Sequence, residues 1–170
     1  MPEYPRVPFD VEGYVAGANS DRPCFICRII SGENTRHEVI YRDEDHIAFF
    51  NGFPTLVGYT LVAPVRHLEG VVGDFSEEEY LHLQRLIHRM GRAIAEVVPT
   101  ERLYVLSLGS QQGNRHVHWH VAPLPPGVPY RDQQFSALMA EHQGYLDIPP
   151  EDSATLAESI RQALARQVGI

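Results

Sequence analysis

The chain reads as an α+β domain: an antiparallel sheet with one long helix packed on it and extra helices at the C-terminal end. Three observations predict it. Short apolar runs bounded by turn residues recur between His37 and Leu124. One long amphipathic segment, DFSEEEYLHLQRLIHRMGRAIAEVV, interrupts them. The runs RLYVLSLGS and HVHWHVAPL, separated by QQGN, make a natural hairpin. Strands segregated from helices argue for α+β rather than alternating α/β.

At 170 residues and 19.2 kDa the chain suits one domain with a real core. Residues 1–20 carry Pro2, Pro5, Pro8, Gly13 and Gly17 and read as an irregular N-terminal arm. Residues 21–125 read as the domain proper, and 126–170 as a C-terminal helical extension. CFICRIISG begins a short helix that stops at Gly32. HEVIYRDEDHIAFFNG gives two strands around the turn residues Arg42 to Asp45. PTLVGYTLVAPVRH gives the next strand, through Leu61, Val62 and Ala63. The long helix starts at Ser76, with Glu79 three residues on as in a capping box. Tyr80, Leu83, Leu86, Ile87, Met90 and Ile94 form its apolar stripe, and Pro99 lies past its end. After Pro125, Pro126 and Pro129, RDQQFSALMAEHQ and EDSATLAESIRQALARQ read as helices on the outside of the sheet.

The net charge of -8 argues against non-specific binding to nucleic acid or an anionic membrane. It leaves room for a small phosphorylated ligand held in one pocket. No apolar run approaches the ~20 residues of a membrane span. The N-terminus lacks the layout of a signal peptide, so a cytoplasmic location is expected.

The chemistry is concentrated in RHVHWHVAPL, Arg115 to Leu124. Successive side chains of a strand point to opposite faces. His116, His118 and His120 would then share one face, and Val117, Trp119 and Val121 the other. Imidazole near neutral pH serves as nucleophile, general acid or metal ligand. The two cysteines form Cys24-x-x-Cys27. That pair reads as metal ligands, as reduced thiols, or as a redox pair for which no βαβ context is visible.

HVHWHVA fits His-φ-His-φ-His-φ-φ, and CFICRIISGE, DEDHIAFFN, PTLVGYTLVAP and RHLEGV precede it in order. With these blocks the chain resembles the histidine-triad (HIT) superfamily over roughly residues 22–124. The resemblance implies a HIT-like fold and a nucleotide hydrolase or transferase. His118 would attack the α-phosphorus of a nucleotide conjugate, such as a nucleoside phosphoramidate or a dinucleoside polyphosphate. Water or phosphate would resolve the nucleotidyl-histidine, and His120 would protonate the leaving group. A dinucleoside polyphosphate phosphorylase and a catalytically weak nucleotide-binding protein are the alternatives in the same family.

By the same resemblance Cys24, Cys27, His67 and His116 would hold a structural zinc, a closed set of two thiolates and two imidazoles. Phe25, Ile26 and Ile29 match the residues around the base, and Phe49 and Phe50 precede the ribose position. That position is Asn51, where many relatives have Asp; NGFP looks most like the dinucleoside-tetraphosphate phosphorylase branch. The loop GSQQGNRH is shorter than usual, which leaves the phosphate contacts to Ser107, Gln111, Gln112 or Asn114, with Arg115 beside them. Tyr59 stands where His is common. A homodimer is expected from the resemblance.

Overall fold

A computed structural model of the protein describes residues 3–18, 23–111 and 113–167. The N-terminal arm is not irregular. It holds a two-residue strand, β1 (Arg6–Val7), and a helix, α1 (Val11–Ala18). Asp10 accepts a hydrogen bond from the Gly13 N–H at 2.9 Å, which satisfies one of the open donors at the start of α1. Then follow α2 (Phe25–Ile30), β2 (Val39–Arg42), β3 (His46–Phe50) and β4 (Thr60–Pro64). The long helix α3 (Glu77–Val97) carries the expected capping box between Ser76 and Glu79. It leads into β5 (Arg102–Ser107) and β6 (Trp119–Leu124). The C-terminal part contains α4 (Tyr130–Leu138), α5 (Ala140–Gln143), β7 (Tyr145–Leu146) and α6 (Pro150–Arg166). The first expected C-terminal helix is therefore broken at Met139.

Five strands form one antiparallel sheet in the order β2-β3-β4-β6-β5. The hairpin register runs from Arg102 opposite Leu124 to Ser107 opposite Trp119. One face carries Ala48, Val62, Trp119 and Val121 under the apolar stripe of α3. Ala157, Ile160, Ala163 and Leu164 of α6 extend the same core. Each such buried Leu or Ile contributes about 1.5–3 kcal/mol. The exposed pair Arg166–Glu96 between the two helices adds at most about 1 kcal/mol, so apolar packing holds α6 in place. The opposite face carries Ile47, Phe49, Leu61, Ala63 and Ala122, covered by Ile26 and Ile29 of α2 and Ala137 of α4. This second face is the one that meets the histidines.

A second, two-stranded sheet pairs β1 with β7, Arg6 opposite Leu146. Gly144 has φ 69°, and a Cβ there would run into the carbonyl of Val7, so only glycine lets the two strands close. Arg6 binds the Thr55 and Gly144 carbonyls at 3.0 and 3.2 Å. The arm and the C-terminal segment are thus clamped together beside the 51–59 turn. Among the described residues no helix is long and apolar enough to cross a membrane.

Candidate active site and metal centre

The histidine run does not begin as a strand. Regular pairing starts at Trp119, and His116 to His118 form an irregular lead-in with a bend at His116. The Val117 N–H donates to the Leu68 carbonyl at 2.7 Å, which fixes that lead-in against the loop after β4. The alternation still holds: Val117, Trp119 and Val121 sit in the α3 core, opposite the imidazoles. The connecting loop turns at Gly109, whose φ is 110°; a Cβ there would lie 2.6 Å from the Asn114 carbonyl oxygen.

Each imidazole has a different partner. His116 Nε2 donates to the Pro64 carbonyl at 2.9 Å. A carbonyl only accepts, so the proton sits on Nε2 and Nδ1 keeps its lone pair. Burial holds the ring neutral and pushes it down to about 4; His67 and His118 add to this, and the Pro64 carbonyl opposes it. His118 Nδ1 donates to the His116 carbonyl at 2.7 Å. By the same logic its Nε2 carries the lone pair. Burial lowers His118 as well, against the opposing pull of that hydrogen bond. His120 lies with its ring centre 4.9 Å from that of His118. Its Nδ1 meets the Tyr59 hydroxyl at 2.9 Å. Burial, then His118, push His120 down to about 3.

The four expected metal ligands converge. Their donor atoms all lie within 4.8 Å of one another. His116 Nδ1 is 3.5 Å from Cys24 Sγ and 3.6 Å from Cys27 Sγ, and Cys27 Sγ is 3.2 Å from His67 Nδ1. Zinc bonds of roughly 2.3 Å to sulfur and 2.0–2.1 Å to nitrogen give a tetrahedral S···N edge of about 3.6 Å, so these separations fit one ion. The outer contacts also fit. His67 Nε2 faces Glu69 Oε1 at 3.3 Å, and His116 Nε2 is bound to Pro64, so both rings turn Nδ1 inward. A redox-active thiol is one whose proton is easily lost. Here burial, then Cys24, push Cys27 up to about 11, which disfavours the redox reading.

The residues expected around a nucleotide divide. Phe25 is half-buried, with its ring 6.0 Å from His118 and 6.3 Å from both His37 and Phe49. Ile26 and Ile29 are buried in the core beneath α2. Phe50 packs toward the α3 and α6 core, on the face away from the histidines, because Phe49 takes the histidine side. Asn51 borders a cavity of about 280 Å³ together with His37, Gly52, Tyr59, Tyr145 and Ser153. Its Oδ1 already accepts from the Phe53 N–H at 3.1 Å. The Ser107 hydroxyl donates to the His118 carbonyl at 2.8 Å, so it supports the triad backbone. Asn114 has φ 55° and donates its amide to the Tyr14 hydroxyl of α1. Gln112 lies outside the described residues. Gln111 and Arg115 are exposed.

Two residues beside the site are unmarked in the sequence, and the partner of a third is set by the fold alone. His37 completes an aromatic group with Phe25 and Phe49, but a lone histidine before a strand carries no signal. Glu69, two residues after His67, carries no signal of its own in RHLEGV. Tyr59 stood out as an unusual residue, yet only the fold brings its hydroxyl to His120.

Comparison with known proteins bears on this arrangement. The HIT domain family model matches residues 32–126. Protein hit of Bacillus subtilis is 29% identical over 148 residues, covering 84% of this chain and 94% of its own. An adenosine 5′-monophosphoramidase of Danio rerio is 27% identical over 105 residues, 59% of this chain and 64% of its own. Two crystal structures share the fold. A hypothetical histidine triad nucleotide-binding protein from Sulfolobus tokodaii superposes with a TM-score of 0.68 at 24% identity, over 84% of this chain and 93% of its own. A Zn-bound histidine triad family protein from Mycobacterium smegmatis gives 0.65 at 23% identity, over 85% and 95%. With its triad, its fold and more than half its length matched, the chain belongs to the HIT domain family.

Proposed function

We propose that this protein is a nucleotide hydrolase that cleaves a nucleoside phosphoramidate or dinucleoside polyphosphate at the α-phosphate. The observation that supports it most is the state of His118. Its Nδ1 proton is committed to the His116 carbonyl, so Nε2 presents a lone pair in a buried, uncharged ring. His118 Nε2 attacks phosphorus, the bond to the leaving group breaks, and a phosphoramidate to the enzyme forms. His120, with its ring alongside, hands a proton to the departing atom. Water then adds to phosphorus, and His118 leaves. Phe25, with His37 and Phe49 behind it, offers an aromatic surface for the base, and Asn51 the ribose contact. The activity named for the Danio rerio relative is of this class.

Cys24, Cys27, His67 and His116 would hold zinc, and a Zn-bound relative shares the fold. The metal would supply a structural cross-link that pins the lead-in to the triad. No step of the reaction runs through it.

The test is turnover of adenosine 5′-phosphoramidate with product analysis. Wild type should release AMP without added phosphate. His118→Ala should lose turnover by at least about 10³-fold while still binding AMP, because only the attacking nitrogen is removed. Retention of more than a few per cent of the rate would sink the assignment.

A further inference from the structure

The partners of the three imidazoles differ in kind. His116 and His118 each donate to a backbone carbonyl, which can only accept. Each of those rings is locked in one tautomer. The partner of His120 is a phenol hydroxyl, which can both donate and accept. The other nitrogen of that ring, Nε2, is buried and has no partner among the described residues.

We infer that Tyr59 is a positioning residue for His120: its hydroxyl holds Nδ1 in both charge states of the ring and so reserves Nε2 for proton transfer to the leaving group. The inference rests on the role given to His120 above. In the neutral resting ring, the Tyr59 O–H donates to Nδ1 and the proton sits on Nε2. The negative charge of the bound substrate offsets the burial that keeps the ring neutral, and the ring takes one proton from solvent; the hydroxyl turns, and Nδ1–H now donates to the phenol oxygen. As His118 Nε2 bonds to phosphorus, the P–N bond breaks and its electron pair stays with the leaving nitrogen. That nitrogen takes the Nε2 proton of His120. His120 is left neutral, still donating from Nδ1 to Tyr59. In the second half, Nε2 accepts a proton from the attacking water. Tyr59 never loses its own proton, which burial holds well above the ordinary phenol range.

A carbonyl or a carboxylate in that place would keep the proton on Nδ1 in the neutral ring too, and would leave the resting Nε2 without one. An apolar residue would leave Nδ1 buried and unpaired. The hydroxyl is not needed to shape the turn. The Tyr59 backbone is already fixed by the Asn51 N–H donating to its carbonyl at 2.9 Å, and by its own N–H donating to the Leu56 carbonyl at 3.2 Å.

The experiment compares wild type, Tyr59→Phe, His120→Ala and the double variant on two AMP derivatives. One is an alkylamine phosphoramidate, whose leaving group needs a proton. The other is a 4-nitrophenyl ester, whose leaving group does not. Tyr59→Phe should lower kcat on the phosphoramidate by about tenfold or more, with KM within about twofold, and spare the ester. Added to His120→Ala it should cost nothing further. Nitrogen NMR of the ligand-free protein gives a readout independent of activity. Wild-type His120 should be protonated at Nε2, and Tyr59→Phe should lose that single tautomer. Equal losses on both substrates, a change in KM alone, additive losses, or an unaltered rate would overturn the inference. So would wild-type His120 protonated at Nδ1 in the resting protein. If wild type turns over neither substrate, the catalytic reading falls and takes the proton-transfer role with it. The NMR result then still decides whether Tyr59 sets the ring.

Discussion

At the scale of single residues, hydrogen-bond capacity decides what each side chain can do. Three chemically identical rings have three fates because their partners differ: a carbonyl at Pro64, a carbonyl at His116, and a phenol at Tyr59. None of this was visible in the spacing of the histidines. The sequence shows which residues alternate; it does not show which nitrogen finds a partner 50 or 60 residues away. Asn51 illustrates the same point. Its Oδ1 is taken by the Phe53 N–H, so no second carboxylate-like acceptor is open to a ribose. Asn51→Asp keeps one oxygen for Phe53 and frees the other for a charge-assisted bond. We expect AMP to bind more tightly by about 1 kcal/mol, roughly fivefold, and 2′-deoxy-AMP to gain less. Calorimetry with both ligands checks it; equal gains would remove Asn51 from the ribose site.

The elements were legible where periodicity is long. The stripe of α3 and its capping box, and the hairpin of β5 with β6, follow from local pattern alone. Two features were not legible for a physical reason. A two-residue strand such as β1 has too little sequence to show alternation, and its pairing with β7 depends on a segment about 140 residues away. The start of β6 at Trp119 rather than His116 goes with the bond from the Val117 N–H to the Leu68 carbonyl, a partner that no local pattern names. The Cys-x-x-Cys pair, by contrast, was informative. Cys24 caps α2 and Cys27 lies in its first turn, so the helix presents both sulfurs to His67 and His116. Cys27→Ser should therefore lower both metal content and melting temperature, because a closed site adds to folding stability directly. Elemental analysis and thermal melts with and without chelator measure this. An unchanged melting temperature with no metal in either protein would favour the reduced-thiol reading.

Across the whole molecule, the histidine face is a buried polar surface between two apolar cores, and burial governs its charge. His37 and His120, and also His46 beside His82 of α3 on the other face of the sheet, are all lowered from the ordinary imidazole value, in each case chiefly by burial. Their native forms resist protonation that the unfolded chain accepts at about 6.5. Between that value and about 3 for His120, the unfolded state binds more protons. Stability should therefore be full above about pH 6.5 and fall steadily as the pH drops below it. Denaturant titrations from pH 8 to 4 test the sign; stability rising on acidification would contradict it.

The overall α+β layout and the family were readable from 170 residues because the triad and its upstream blocks are dense in chemistry. The clamping of the N-terminal arm onto the 51–59 turn was not, since its prolines and glycines suggested no order. Trapping the intermediate shows whether His118 is the nucleophile. The protein is mixed with labelled adenosine 5′-phosphoramidate, quenched within one turnover, digested and sequenced by mass spectrometry. One adenylyl group per active chain is expected, on His118, and none in His118→Ala. Label on another residue, or rapid turnover with no label on His118, would contradict it.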